Sequence, residues 1–576
     1  MIRYKWRLLL GVVFVCLSNY FQILQPQAIR DALNLVVGQI DADSSELLSK
    51  QALRIELMKF AGIVIGYALL MGVFMFFMRQ TMIVTSRLIE YDMRKDIYNH
   101  YQSLDLGFFR RNKTGDLMAR ITEDVSKVRM YTGPALMYAV NIVFLFTFVI
   151  SSMFSVNVEL AIYSLLPLPV LSVSIYFVSN IINRQSEKIQ RQLSVLNSLA
   201  QEVFSGIRIV KSYVREKQVG DFFESETESY KEKSMQLAKV ESLFTPLMLL
   251  IIGSSTILTI YFGGRQVIEG TLQAGNVAEF VIYVNMLTWP VTSIGWIASL
   301  VQQAAVSQRR IDEFLKTSPE IKSSGSLEKN LIGKIVFSDV SFTYPDTGIK
   351  AISNLNLEIL PGERVALIGP AGSGKTTIAD LLVRMYEPDS GDILLDDLQL
   401  KKYKLPFLRE RIGYVTQDVF LFSEDVRSNI AFGMEATQTN QIEQMARFAS
   451  VHEDIIGFPE GYDTVVGERG VMLSGGQKQR ISLARALIKD PDILLLDDCL
   501  SAVDTRTEQQ ILEYLNTVLK GKTAIIITHR IYESLGFDKI IVLDKGRMVE
   551  FGTHETLLAA GGYYYRMFER QKYAVE

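Results

Sequence analysis

Two cysteines in 576 residues leave neither a disulfide framework nor a zinc-ligand spacing, because Cys16 lies in an apolar run and Cys499 beside an acidic pair. Net charge is nearly absent too, −3 at pH 7 from 60 basic and 63 acidic side chains, so nothing in the balance points to a nucleic-acid partner. Arg3 and Lys5 precede an apolar run in the manner of a signal peptide, yet no small-residue cleavage site follows and five more such runs come later. The first run therefore reads as a retained membrane helix. The most telling lack is local. Six long stretches hold no Asp, Glu, Lys or Arg at all: Leu8–Ile29, Phe60–Met78, Met130–Val158, Leu160–Asn183, Ser242–Gly264 and Phe280–Gln308.

Each is long enough to cross a hydrocarbon core of roughly 30 Å, which takes about 20 helical residues. Buried helices of a soluble protein rarely produce six such runs in one half of a chain. The two long gaps, Arg79–Arg129 and Arg184–Glu241, are rich in Lys and Arg, as is the tip with Arg3, Lys5 and Arg7. By the positive-inside rule these three lie in the cytoplasm, and Asp31, Asp41, Asp43 and Glu46 in the first gap fit the opposite face. Both termini are then cytoplasmic. Segments Thr85–Leu104 and Gln185–Glu202 mix charged and apolar residues at helical spacing without proline or glycine, so helices are expected to continue past the membrane surface. The loop tips carry Gly107-Phe108-Phe109-Arg110-Arg111 with Thr114-Gly115-Asp116, and Ser205-Gly206-Ile207-Arg208; exposed aromatics at a turn suit docking onto another domain, against the plainer reading of a solvated hairpin. Within the runs, polarity is confined to amides and hydroxyls such as Asn19, Gln22, Gln25, Gln27, Asn141 and Asn285. There is no mid-span proton relay to point to. The amides fit a cavity lining and inter-helix hydrogen bonds equally well. Pro290 beside Trp289 is a candidate kink in the sixth helix.

From about Glu320 the composition changes. Ser323-Ser324-Gly325-Ser326 reads as a linker, and β-rich runs begin at Ile335-Val336-Phe337. The expected division is a membrane domain over 1–315, a linker over 316–332 and a nucleotide-binding domain over 333–576. Strand Arg364–Ile368 leads into Gly369-Pro370-Ala371-Gly372-Ser373-Gly374-Lys375-Thr376, then a helix opening at Thr377. This is a P-loop in its strand–loop–helix setting. Its glycines let backbone N–H groups converge on phosphates, helped by the helix dipole. Lys375 is expected at the β- and γ-phosphates of ATP and Thr376 on Mg²⁺. Downstream, the apolar run Ile493-Leu494-Leu495-Leu496 reads as a buried parallel strand ending in Asp497-Asp498. Asp497 belongs on Mg²⁺ and Asp498 is placed to orient the attacking water. Leu473-Ser474-Gly475-Gly476-Gln477, ahead of an expected helix Lys478–Ile488, reads as a second anion cradle. One nucleotide does not need two cradles from one chain, so this one is expected to face a nucleotide held by another subunit.

Together these residues resemble the ATP-binding cassette (ABC) superfamily over essentially the whole chain, and within it the exporter branch that fuses membrane and nucleotide domains. The implied fold is multi-domain: a six-helix α-helical transmembrane bundle followed by an α/β P-loop nucleotide-binding domain. Leu473–Gln477 matches the family signature. By resemblance Tyr344 is the aromatic that stacks on adenine, Gln417 senses Mg²⁺ and contacts the membrane domain, and His529 is the switch histidine at the γ-phosphate. Asp504 then belongs to the loop that communicates between two ATP sites, and Glu468 to an exporter-type loop beside the coupling helices. The resemblance implies two nucleotide domains clamping two ATP molecules head to tail, with Phe108–Leu117 and Ser205–Ser212 as coupling helices, one reaching across to the partner. One residue departs: the family places glutamate where Asp498 stands. That shortening resembles the weakened ATP site of heterodimeric multidrug-type exporters. The favoured partner is a second, different half-transporter, with a homodimer using Asp498 as the alternative.

The implied function is export of an amphipathic drug-like compound or lipid through the bilayer, driven by ATP hydrolysis. A homodimeric lipid flippase or peptide exporter is the nearest rival within the superfamily. A non-transporting membrane-anchored ATPase fits six spans and two coupling hairpins poorly. Importers of the superfamily usually keep the two domains on separate chains, and a soluble ATPase is excluded by the spans. Tyr20, Phe21 and Trp289 suit many amphipathic substrates and select none. No extra peptidase, external domain or targeting extension is evident, which is consistent with a multi-pass protein of a bacterial inner membrane.

Overall fold

The computed structural model describes residues 2–41, 49–322, 325–434, 438–467, 470, 472–532 and 535–575. Asp43, Glu46, Glu468 and the linker serines Ser323 and Ser324 lie outside them. The chain forms two compact units, Met1–His100 with Gly115–Thr317, and Tyr101–Thr114 with Ser318–Glu576.

The first unit is helical. Six helices are long and apolar enough to cross a membrane, Lys5–Ile40, Lys50–Ser103, Thr114–Val156, Val158–Ser205, Glu216–Ile268 and Ala274–Leu315, in agreement with the six charge-free runs. The regular segments are α1 (Lys5–Asp41), α2 (Lys50–Ser103), then α3 (Leu106–Arg111) in the second unit, α4 (Thr114–Ala119), α5 (Val125–Met130) and α6 (Leu136–Val156). They continue with α7 (Val158–Leu165), α8 (Pro167–Ser205), α9 (Ile207–Ser212), α10 (Glu216–Ile268) and α11 (Ala274–Leu315). As the sequence predicts, the charged stretches after Thr85 and Gln185 prolong α2 and α8.

Two wide turns, Arg120–Asp124 and Tyr131–Ala135, join α4, α5 and α6 into one rod. Pro134 in the second has no N–H to give the ladder, which favours the looser winding. Asn157 ends the rod in extended conformation, and its side chain caps the next helix by accepting from the Leu160 amide at 2.9 Å. Helix α11 runs on through Pro290.

The amides resolve toward inter-helix bonding. Asn19 Nδ2 donates to Asn141 Oδ1 at 2.8 Å, tying α1 to α6, and Gln27 Nε2 donates to the Tyr283 hydroxyl at 3.4 Å, tying α1 to α11. Charges flanking the runs are paired: Arg30 Nη1 donates to Glu279 Oε2 at 3.1 Å and the Tyr283 hydroxyl to Glu279 Oε1 at 2.8 Å, with Glu279 and Tyr283 fully buried.

The expected single helix Phe108–Leu117 is two. Asn112 turns extended and bonds the Phe108 carbonyl through both its backbone N–H and its Nδ2, which closes α3. The second expected segment is shorter by its first two residues, since Gly206 separates α8 from α9.

The second unit is an α/β fold. A four-stranded antiparallel sheet runs β2-β1-β4-β5, from β1 (Ile335–Thr343), β2 (Lys350–Ile359), β4 (Ser390–Leu395) and β5 (Leu398–Gln399). A six-stranded sheet runs β10-β9-β3-β8-β7-β6, from β3 (Arg364–Ile368), β6 (Ile412–Val415), β7 (Ile493–Asp497), β8 (Thr523–Ile527), β9 (Lys539–Asp544) and β10 (Arg547–Gly552). Only the edge strand β10 pairs antiparallel, and β7 and β8 are buried along their whole length, as their unbroken apolar runs require. The helices are α12 (Lys375–Leu382), α13 (Leu405–Arg411), α14 (Val426–Ala431), α15 (Thr439–Phe448), α16 (His452–Ile456), α17 (Gly475–Leu487), α18 (Thr505–Val518), α19 (His554–Ala560) and α20 (Tyr563–Val575). Ligands of open α/β sheets bind beyond the carboxyl ends of the strands, and here those ends carry the residues described next.

Candidate functional site

Strand β3 sits between β8 and β9, and its C-terminal end opens into Gly369–Gly374. The loop doubles back on itself. Gly369 and Gly374 both take positive φ, and a Cβ on them would stand 2.1 Å from the Leu543 carbonyl oxygen and 2.5 Å from that of Ala351. Only glycine lets the backbone pass there, and the result is a tight loop feeding the N-terminus of α12. Pro370, Ala371 and Gly372 form the outer rim, while Ser373 and Thr377 are buried. Lys375 folds back and donates from Nζ to the carbonyls of Gly369 and Pro370, both at 2.8 Å. Burial holds this ammonium below the ordinary lysine range, against the pull of Asp497 and Asp498.

Thr376 Oγ1 donates to Asp497 Oδ2 at 2.6 Å. A hydroxyl and a carboxylate thus meet at the mouth of the loop, a pair of hard oxygens of the kind Mg²⁺ takes. Asp497 is 1% exposed; its carboxyl is pushed up by burial first and by neighbouring Asp498, against the Thr376 hydrogen bond. Asp498 turns away from the strand at φ +47°, its amide donating to the Ile527 carbonyl at 2.9 Å. Opposite stands His529, just past the end of β8. Partial burial and then the Lys375 charge hold its imidazole below the ordinary value, and Asp498 pulls the other way. Strand β6 pairs with β7 so that Val415 lies opposite Leu496, which brings the exposed Gln417 to the same edge of the sheet.

Tyr344 stands after β1. Its hydroxyl shares a hydrogen bond of 2.9 Å with Thr377 Oγ1, and its ring meets Phe342 and Tyr386 edge-on. Arg110 of α3 lies 5.2 Å from the Tyr344 ring centroid and 5.7 Å from that of Tyr386. No sequence signal marks this arrangement beyond the exposed loop tip. Beneath α12, Asp380 accepts from the Tyr414 hydroxyl at 3.2 Å, and burial pushes its carboxyl up to about 6.

Helix α17 begins at Gly475, three residues before the expected Lys478. Ser474 and Gln477 form a capping box: the serine hydroxyl accepts from the Gln477 amide at 3.2 Å and Gln477 Oε1 accepts from the Ser474 amide at 3.0 Å. Gln477 Nε2 also donates to Asp454 at 2.9 Å. Gly476 lies against the Ala502 carbonyl, where a Cβ would come to 2.7 Å. Asp504 is the N-cap of α18, accepting from the Thr507 amide at 3.0 Å, and that bond holds its exposed carboxyl below the usual range. Gln479 joins the two segments: its Nε2 donates to Ser501 Oγ and its Oε1 accepts from the Ala502 amide, both at 3.0 Å. Its place two residues beyond Gln477 in the same motif was the available signal.

Comparison with known proteins follows the same division. The model of the ABC transporter transmembrane region matches residues 8–291, and that of the ABC transporter nucleotide domain matches residues 352–501. The multidrug resistance-like ATP-binding protein MdlA of Escherichia coli (strain K12) is 36% identical over 482 residues, covering 84% of this chain and 82% of that protein. The probable multidrug resistance ABC transporter ATP-binding/permease protein YheI of Bacillus subtilis (strain 168) is 33% identical over 574 residues, covering 99% and 96%. A solved structure of a bacterial Atm1-family ABC exporter with ATP bound superimposes with a TM-score of 0.80 at 26% identity, covering 98% of this chain and 99% of that one.

Proposed function

The chain belongs to the ABC transporter family, as an exporter half that carries membrane region and ATPase on one polypeptide, and from that premise we propose that it moves an amphipathic drug-like compound or lipid out of the cytoplasm or inner leaflet. ABC half-transporters dimerise. We assign the partner as a second, different half-transporter whose glutamate makes the faster ATP site. The reading is carried by the Thr376–Asp497 pair at the mouth of the glycine loop, on a chain that also supplies six membrane-spanning helices.

In this reading the amides of Gly369–Thr377 and Lys375 Nζ bind the β- and γ-phosphates, the ammonium leaving its loop carbonyls for stronger charged acceptors. Tyr344 receives adenine on its ring. Thr376, Asp497 and Gln417 would hold Mg²⁺, which supplies charge neutralisation on the phosphates. Asp498 positions the attacking water, and His529 donates to the γ-phosphate. Ser474–Gln477 face the partner's nucleotide through the backbone amides of the first turn of α17, and Asp504 relays between the two sites. Aspartate at 498 is one methylene short of the family's glutamate, and a displacement near 1 Å costs about a hundredfold when positioning limits the rate. This chain's own site is then the slow one, and its signature completes the partner's fast one.

Support for a reach across to the partner comes from α9. None of its residues is buried, and beyond it Tyr213 and Val214 are 72% and 81% exposed, whereas α3 buries Gly107 and Phe108 within its own chain. The orientation follows from the Lys- and Arg-rich loops: both termini cytoplasmic, in a bacterial inner membrane.

The test is ATP-driven accumulation of a fluorescent amphipathic cation or a labelled phospholipid in proteoliposomes holding this chain with its co-purified partner. Uptake that needs hydrolysable ATP and disappears with Lys375→Ala supports the assignment. ATP turnover with no movement of either probe class supports a membrane-anchored ATPase instead.

A further inference from the structure

We propose that Gln571, near the C-terminal end of α20, is a positioning residue for the switch histidine, clamping the backbone two residues beyond His529. The inference rests on the placement of His529 at the γ-phosphate.

Strand β8 ends at Ile527, so the segment that presents His529 has no neighbouring strand to fix it. Three other tethers hold it. The Thr528 hydroxyl accepts from the Arg530 amide at 2.9 Å. The Arg530 guanidinium lies on both carboxylate oxygens of buried Glu508, at 3.2 and 3.0 Å, which joins the loop to α18. The third comes from outside the active edge. Gln571 Oε1 accepts from the Ile531 amide at 2.9 Å while its Nε2 donates to the Ile531 carbonyl at 3.1 Å. A side-chain amide paired to both groups of one peptide unit fixes its position and its rotation together, as a strand neighbour would.

The helix that supplies this amide is itself firmly seated. Glu550 on β10 accepts from the Tyr563 and Tyr564 amides at 2.5 and 3.1 Å, satisfying donors at the start of α20. Tyr564 is fully buried and bonds His554 through its hydroxyl at 2.7 Å. Its ring packs in an apolar cluster with Ile531 itself and with Ala366 and Ile368 of β3, the strand that opens into the glycine loop. The clamp is thus referenced to the same strand that positions Lys375. Releasing it frees Ile531, and with it the backbone that aims His529, while Lys375, Thr376 and Asp497 keep their own supports. A displacement of about 1 Å at a group acting on the reacting phosphate costs up to about a hundredfold in rate, with little change in nucleotide binding.

The experiment is single-turnover hydrolysis of γ-labelled ATP by the full chain in lipid nanodiscs, which resolves even a slow site. Four proteins form a cycle: unmodified, Gln571→Met, His529→Ala and the double variant. Methionine keeps the side chain's length and bulk and loses both hydrogen bonds. The expected result is a kcat reduced about tenfold in Gln571→Met with KM for ATP within about twofold, and no further loss on adding Gln571→Met to His529→Ala. Gln571→Glu, which keeps the acceptor and loses the donor, falls between. A Gln571→Met chain as fast as the unmodified one overturns the proposal. So does an equal fold-loss in both backgrounds, which would make Gln571 a structural residue only. A His529→Ala chain with undiminished rate has a different meaning: it removes the γ-phosphate reading of His529, and the clamp falls with it.

Discussion

Asn429 offers the sharpest quantitative test of how the α/β unit is wired. The loop after Gln417 has no strand of its own, and this one amide, 1% exposed, organises it. Its Oδ1 accepts from the Phe422 amide at 2.9 Å and from Arg485 Nη2 on α17 at 2.8 Å; its Nδ2 donates to the carbonyls of Phe422 and Asp425, both at 3.0 Å. Replacing Asn429 by alanine strands these partners unequally. The Phe422 and Asp425 carbonyls keep other backbone donors, the amides of Glu424 and Asn429, so their loss is near zero. The Phe422 N–H loses its acceptor, for about 1 kcal/mol, and the charged Arg485 donor loses one of its three, for about 2 kcal/mol. The sum, about 3 kcal/mol, is roughly a hundredfold in the local opening equilibrium. Hydrogen exchange reads this directly at the Phe422 amide. The expected result is a loss of protection of about a hundredfold confined to the segment around Phe420–Asn429, with β3, β7 and β8 unchanged. A change below threefold at Phe422, or a uniform loss across the unit, refutes the reasoning.

Asp380→Asn is expected to stabilise the chain, with a sign set by pH. The folded carboxyl titrates at about 6, above its unfolded value of 3.8, so its ionised form burdens the folded state. That burden is absent below about pH 4, grows as pH rises through 6 and amounts to about 3 kcal/mol above it; melting curves of both chains at pH 4 and pH 8 check this, and an equal difference at both values contradicts it. Cys499, 4% exposed and with its thiol pushed up by burial to about 12, is expected to resist a water-soluble maleimide at pH 8 until the protein is unfolded; prompt labelling in the native state, followed by mass spectrometry, would show otherwise. Glu279→Ala leaves Arg30 and the Tyr283 hydroxyl without their buried acceptor, for about 3–5 kcal/mol, and Arg30→Met with Glu279→Leu is expected to recover most of it. Thermal melts in detergent separate the two, and equal destabilisation by the single and double changes would count against the pairing.

Contiguous patterns were legible from residues alone, and contacts between distant residues were not. The six spans follow from runs without a charge, because a membrane core admits no unpaired ion. The strand–loop–helix around Gly369–Thr376 follows from a motif whose glycines are demanded by close backbone approach. Ile493–Leu496 reads as a strand because only a doubly covered one can be apolar at every position. The start of α17 was misjudged since two glycines depress helix propensity, and the Ser474–Gln477 capping box outweighs them. Phe108–Leu117 was read as one helix because its break depends on a side chain, Asn112, bonding back four residues. Arg30–Glu279, Arg110 on Tyr344 and Gln571 on Ile531 were beyond reach: each joins residues 40 or more apart in sequence, and no local pattern records such a pair.

The central claim is an ATP-driven exporter half whose own site is slowed by Asp498 and whose signature serves a partner. The most direct measurement is the ATPase rate of this chain purified alone in lipid, beside its Asp498→Glu and Lys375→Ala variants. The account predicts little turnover by the unmodified chain, a sharp rise with Asp498→Glu, and loss of that gain when Lys375→Ala is added. Strong turnover by the unmodified chain, abolished by Lys375→Ala and unimproved by Asp498→Glu, would show a working homodimer and contradict it.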